Sequence, residues 1–270
     1  MEFPVKTSEY EELQEMKGPM GLCYGPVTSR RLGASLGINF LGTQDKICSY
    51  DCPYCELGLT KLKMSHIKKA MAYPSLAEID GAVRKIVVDF TKSGTKFDTL
   101  CVSGNGDPTL HPEFLEAVQL LIKIRDDLVP ENKVVVLSNG TTLDESKIIK
   151  AMNLFDERMI KLDAGNDEML KKINAPLVRM NLSRLILGTK KLKDVILQAM
   201  FLQGAIDNTI PAEVEEWVEV VGIIKPKLVH LYSLDRVPPV PGLKQVPSQK
   251  LKEISQLLLK RTQIKGVVFS

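Results

Sequence analysis

The chain has 270 residues, with 36 basic against 33 acidic side chains and a net charge of +3. Hydrophobic residues make up 44% and charged residues 26%, the balance of a globular protein with a sizeable core. No apolar run reaches membrane-spanning length, and the charge is too mild to imply nucleic-acid binding, although it leaves room for a local basic patch.

In chain order, Met1-Glu2-Phe3-Pro4 leads into an acidic stretch from Ser8 to Glu15 with no apolar core of a signal peptide. A cytoplasmic chain with reduced thiols is expected, and an odd count of five cysteines argues against a disulfide framework. Residues 35–41 read as a first strand running into a cysteine-rich loop. Ser75-Leu76-Ala77-Glu78 is a capping box, and the helix behind it carries Ile79, Val83, Ile86 and Phe90 on one face. A second strand is expected over 98–103, then a helix from Pro112 with Phe114, Val118, Leu121 and Ile122 as its stripe. Residues 133–138 are the plainest strand and end at Asn139-Gly140. A helix from about Asp144, a strand over 158–163 and two helical pieces over 166–193, broken at Ala175-Pro176, follow. After a strand over 194–200, Thr209 is expected to cap a helix with Pro211 near its first position. A sixth strand over 227–233 precedes a loop, 237–247, whose four prolines leave no regular structure; a helix near Ser248 and a terminal strand over 265–270 close the chain.

This βα rhythm, repeated about six times, predicts a parallel sheet with right-handed crossovers. The polar turns that end its strands then gather on one rim, outside the carboxyl ends of the strands, where sites in such sheets lie. The chain divides into an N-terminal extension, 1–34, a core, 35–233, and a C-terminal proline-rich loop and helix, 234–270, packing on that core.

The informative segment is Cys48-Ser49-Tyr50-Asp51-Cys52-Pro53-Tyr54-Cys55. Its spacing lets one loop turn three thiols toward a metal centre. A zinc site, with a fourth ligand from Cys23, Cys101 or His66, and an iron–sulfur cluster are both open. A cluster held by three thiols leaves one iron free to bind something else.

The loop matches the Cys-x3-Cys-x2-Cys signature with an aromatic residue, Tyr54, before the last thiol. Ser103-Gly104-Asn105-Gly106-Asp107-Pro108, after the second strand, is similar to a Gly-Gly-Glu type motif in variant form. On these two motifs the chain resembles the radical S-adenosylmethionine (SAM) superfamily over about 35–233. Gly25-Pro26-Val27-Thr28-Ser29-Arg30-Arg31-Leu32-Gly33 and Leu234-Asp235-Arg236-Val237-Pro238-Pro239 resemble, more narrowly, a subgroup of iron–sulfur oxidoreductases placed near the wyosine tRNA-modifying synthases.

The resemblance implies an α/β fold, an incomplete (β/α)6 TIM-like barrel with a parallel sheet. It implies that Cys48, Cys52 and Cys55 hold a [4Fe-4S] cluster whose open iron is chelated by S-adenosyl-L-methionine. Reductive cleavage would give methionine and a 5′-deoxyadenosyl radical that abstracts hydrogen from an unidentified substrate: a small molecule, a peptide or a tRNA. An external donor such as flavodoxin or ferredoxin would supply the electron, and no membrane is implied.

Among cofactor-binding candidates, Tyr54 is placed beside the adenine, or else packs under the loop. Gly104 and Gly106 allow close approach of a ligand. Asn105 or Asp107 replaces the usual glutamate at the methionyl ammonium, with turn stabilisation as the other reading of Asp107. Asn139 and Asp163 reach the carboxylate or ribose hydroxyls, or stabilise local turns, and Gln198 faces the barrel interior. Arg30 and Arg31 pair with a substrate carboxylate or phosphate, or form surface salt bridges. Lys61, Lys63, Lys68 and Lys69 form a solvated face or a polyanion contact. The competing functions are an iron–sulfur electron-transfer or sensing protein and a zinc-stabilised binding module.

Overall fold

The computed structural model describes residues 21–42, 45–60 and 73–269. The stretch from Ser8 to Glu15, His66 and the lysines at 61, 63, 68 and 69 lie outside the described residues.

Strand β1 (Cys23–Ser29) folds back antiparallel on β2 (Gly33–Ile38), with a register shift between Tyr24 and Val27. Then β3 (Thr99–Val102), β4 (Lys133–Ser138), β5 (Glu157–Lys161) and β6 (Ile196–Met200) line up in parallel. The two-residue strand β7 (Gln203–Gly204) precedes β8 (Leu228–Tyr232), which pairs parallel with β6. A second two-residue strand, β9 (Leu243–Lys244), pairs with β7, and β10 (Gly266–Phe269) adds parallel to β8. The main sheet has eight strands in the order β1-β2-β3-β4-β5-β6-β8-β10, mostly parallel and curled into a half-barrel of the TIM-like kind. Both segments flanking 35–233 therefore add strands to the same sheet.

Helices α1 (Leu76–Ser93), α2 (Phe114–Leu128), α3 (Ser146–Met152), α4 (Asp167–Asn174), α5 (Leu182–Thr189), α6 (Pro211–Ile224) and α7 (Ser248–Thr262) occupy the connections. The capping box of α1 forms as read: Ser75 Oγ accepts from the Glu78 amide at 3.3 Å, and Glu78 Oε2 accepts from the Ser75 amide at 2.8 Å. Alternate strand residues face the helices. Leu36, Ile38, Leu100, Val102, Val134, Val136, Ile160, Leu197, Ala199, Val229 and Leu231 are all buried in one apolar cluster with them.

Three expectations change. Residues 23–29, read as part of an extension, form an edge strand. The proline-rich loop 237–247 contains β9. Thr209 does not cap α6: its hydroxyl donates to Asp207 Oδ1 at 2.7 Å, and Ile210 stands at the cap without a side-chain bond, although Pro211 does open the helix.

Candidate functional site

Strand β2 delivers the chain to the carboxyl-end rim, and three neighbouring turns fasten the cysteine loop there. After β3, the Ile47 amide donates to Asn105 O at 2.8 Å and the Asp107 amide donates to Ile47 O at 3.0 Å. Gly106 sits between these bonds at φ 140°, and a Cβ there would lie 1.7 Å from Ile47 O. After β4, Asn139 Nδ2 donates to Ser49 Oγ at 2.9 Å, and Ser49 Oγ lies 2.5 Å from Thr141 Oγ1. At the end of α4, the Asp51 amide donates to Asn174 O at 3.1 Å and the Leu177 amide to Ser49 O at 2.9 Å. Within the loop, buried Lys46 donates to Gly58 O at 2.8 Å and lies 3.5 Å from Asp51.

The three thiols are half-buried and unbridged. Cys48 Sγ accepts from Asn139 Nδ2 and Cys52 Sγ from Asn174 Nδ2, each at 3.5 Å. Burial pushes the Cys48 thiol up to about 12 and the Cys52 thiol up to about 11. Such thiols ionise against a bound cationic centre rather than against water. Among the described residues no three His, Cys, Asp or Glu side chains gather closely enough for a single metal ion. Cys23 lies in β1 and Cys101 in β3 with its sulfur toward Ser103 Oγ at 3.5 Å, so neither completes a zinc-type set. Soft sulfur donors with amide N–H groups directed at two of them suit an iron–sulfur cluster.

Two buried carboxylates organise the rim. Asp107 accepts from the Thr109 amide at 3.0 Å, Thr109 Oγ1 at 2.6 Å, Ser138 Oγ at 3.0 Å and the Asn139 amide at 2.7 Å. Burial raises this carboxyl against those bonds, which favour its charge. Four donors engage both oxygens, so Asp107 ties the turn after β3 to the end of β4. Asp163, just after β5, accepts from the Tyr54 hydroxyl, from Asn174 Nδ2 at 2.7 Å and from the Met200 amide at 2.7 Å. Lys161 Nζ lies 3.5 Å from Asp163 and 4.9 Å from the Tyr54 ring centre, and it donates to the Tyr232 hydroxyl.

Gly104, Asn105, Gly106, Asp107, Asn139 and Asp163 thus stand on one rim with the cysteine loop, and the buried Tyr54 packs under that loop with its hydroxyl on Asp163. A Cβ on Gly104 would lie 2.7 Å from the Asn39 side chain, and the Asn105 amide donates to Asn39 Oδ1 at 3.4 Å. Gln198 lies lower, inside β6, with Nε2 3.2 Å from Met159 Sδ. Sequence reasoning passed over Lys46, Lys161 and Asn174. Lys161 carried a signal, a lysine inside the apolar run Met159-Ile160-Lys161-Leu162; Asn174, at a helix end, carried none.

A parallel half-barrel whose β2 carries a three-thiol loop onto the carboxyl-end rim defines an α/β protein of the TIM-like class. The radical SAM superfamily profile matches residues 46–216, more than half of the chain, and the chain belongs to that superfamily. A UPF0026 protein of Helicobacter pylori is 28% identical over 192 residues, covering 69% of this chain and 58% of the relative. A UPF0026 protein of Synechocystis is 27% identical over 227 residues, covering 80% and 77%. The chain thus spans little more than half the length of the Helicobacter protein. Among solved structures, a radical SAM methyltransferase from Sphaerobacter thermophilus superposes with a TM-score of 0.64 at 16% identity, over 87% of this chain and 65% of that one. TYW1 with a lysine-pyruvate adduct bound superposes with a TM-score of 0.62 at 14% identity, over 86% and 76%. At such identities the likeness is one of fold.

Proposed function

We propose that the protein is a radical SAM enzyme in which Cys48, Cys52 and Cys55 hold a [4Fe-4S] cluster and leave one iron open to S-adenosyl-L-methionine. The supporting observation is the three-thiol loop, fastened by three rim turns, in a member of this superfamily. The chemistry such a cluster supplies when bound is one-electron cleavage of the sulfonium to methionine and a 5′-deoxyadenosyl radical that takes hydrogen from a substrate.

The chain's own residues hold and shield that place. Ser49 and Asn139 fix the loop beside Cys48, while Asn174 fixes it beside Cys52. Gly104, Asn105 and Gly106 bring the backbone close beneath the loop, and Asp107 holds their turn rather than reaching outward. Tyr54 and Asp163 form a hydrogen-bonded floor whose apolar ring suits a nucleoside and whose burial keeps water out. The electron comes from an external donor such as flavodoxin or ferredoxin.

Arg30 and Arg31 do not form a common basic surface: Arg30 pairs with Asp235 at 2.9 Å, and the Arg31 guanidinium stacks over Tyr232.

Reconstituted protein, reduced chemically under anaerobic conditions, is expected to convert S-adenosylmethionine to methionine and 5′-deoxyadenosine, and the triple Cys→Ala variant is expected to form none. Wild-type protein that holds a reduced cluster and yields no deoxyadenosine would instead be an electron-transfer or sensing protein.

A further inference from the structure

Adjacent arginines in the β1–β2 turn face opposite ways. Arg30 stays at the surface, where its side chain is 50% exposed and paired with Asp235. Arg31 turns onto the inner face of the half-barrel, with its guanidinium carbon 4.6 Å from the centre of the Tyr232 ring. Its NH1 is buried with no hydrogen-bond partner, and among the described residues no carboxylate pairs with it.

Asp98, Glu131 and Glu157 line a cavity with Arg31, and none of them forms an ion pair with its guanidinium. Asp98 accepts from the Ala34 amide at 2.7 Å, and Glu157 pairs with Lys133 at 2.7 Å. The cavity, of about 420 Å³, lies at the opposite end of the strands. A second cation on the inner face, Lys161, lies 4.6 Å from the same Tyr232 ring, but Asp163 opposes its charge. Arg31 differs from it in that, among the described residues, no carboxylate lies within ion-pair distance of its guanidinium.

Two further polar atoms on that face lack partners, Thr99 Oγ1 and His230 Nδ1. Burial, and then the charge of Arg31, hold His230 down at about 4, so its ring is neutral and able to donate or accept. His230 is the register partner of Gln198, and Gln198 that of Lys161, which puts this row one inward-facing step below the rim residue Asp163.

A guanidinium nitrogen buried without a partner is costly, and the guanidinium fork matches a carboxylate or a phosphate. We propose that the inner face binds an anionic group of the substrate, a carboxylate or phosphate, at Arg31, with Tyr232 as its platform. This rests on the radical SAM reading.

The test is calorimetric titration of anaerobically reconstituted protein with inorganic phosphate and with malonate, alongside iron content and S-adenosylmethionine affinity. Wild-type protein is expected to bind at least one probe, and the better one identifies a phosphate- or carboxylate-bearing substrate. Arg31→Gln is expected to weaken that binding about tenfold or more, and Arg31→Lys about threefold, since it keeps the charge without the fork. Arg30→Gln is expected to leave it unchanged, and all three variants should keep wild-type iron content and cofactor affinity. Absence of binding to either probe overturns the proposal, as does binding that Arg31→Gln leaves intact. Parallel loss of probe and S-adenosylmethionine binding in that variant also overturns it, because the anion would then be the cofactor's own carboxylate. If Arg31→Gln does not fold, Arg31→Lys decides by the same criteria. Wild-type protein that takes up no cluster, or binds no S-adenosylmethionine, refutes the radical SAM reading itself, whatever the probes do.

Discussion

The two faces of the half-barrel are made by the same strands and follow opposite rules. Toward the helices, β3, β4, β6 and β8 present Leu100, Val102, Val134, Val136, Leu197, Ala199, Val229 and Leu231, none of them measurably exposed. The alternate positions present Thr99, Cys101, Lys161, Gln198, His230 and Tyr232, with an apolar plug of Val135, Met159 and Ile196 that Leu32 of the hairpin packs against. One face is filled to exclude water. The other is polar, carries unpartnered hydrogen-bonding atoms and lies beneath the cysteine loop. Neighbouring residues in a strand therefore differ in kind: one contributes packing, the next chemistry.

The largest effect is expected where the rim itself is built. Gly106→Ala forces a Cβ into Ile47 O and must release the clasp on the cysteine loop. A stability loss of about 4 kcal/mol by urea denaturation is expected, with a matching fall in iron content. A variant that keeps full iron content would mean that the clasp does not hold the loop.

The faces are compared most closely at adjacent positions of β6. Leu197→Ala is expected to cost about 3 kcal/mol, as for a buried leucine in a packed layer. Gln198→Leu, one residue on, is expected to cost less than about 1 kcal/mol, because its amide is matched only by a thioether sulfur. Equal losses would show that both faces are packing core.

The last effect concerns protons. The folded protein holds His230 near 4, below its ordinary 6.5, through burial and then Arg31. Between those values the unfolded chain takes up a proton that the folded protein refuses. The contribution to stability is full above pH 6.5 and is lost as the pH falls toward 4. His230→Gln should flatten the dependence of denaturation midpoint on pH over that window. An unchanged slope would place His230 in water.

The helix-facing half of this arrangement was legible from sequence, because apolar alternation and the Ser75–Glu78 capping box report local packing. The cysteine loop was legible because metal-ligand spacing is local too. Strand β1 escaped because Gly25-Pro26 and a register shift interrupt its pairing, so its residues read as a turn. Lys161 escaped because alternation cannot separate a residue facing solvent from one facing a polar interior. Asn174 meets Cys52 across 122 positions of chain, a contact that only the folded curvature creates. Asp107 was legible as a motif residue, yet its four internal bonds join segments the sequence keeps apart.

The central claim is that three thiols on this rim hold a cluster with an open iron. Electron paramagnetic resonance of the reduced, anaerobically reconstituted protein, recorded before and after S-adenosylmethionine, tests it most directly. The account predicts about four irons per chain, a spectrum that changes on adding the cofactor, and loss of both in Cys48→Ala, Cys52→Ala and Cys55→Ala. Bound zinc, or a cluster whose spectrum is indifferent to S-adenosylmethionine, would contradict it.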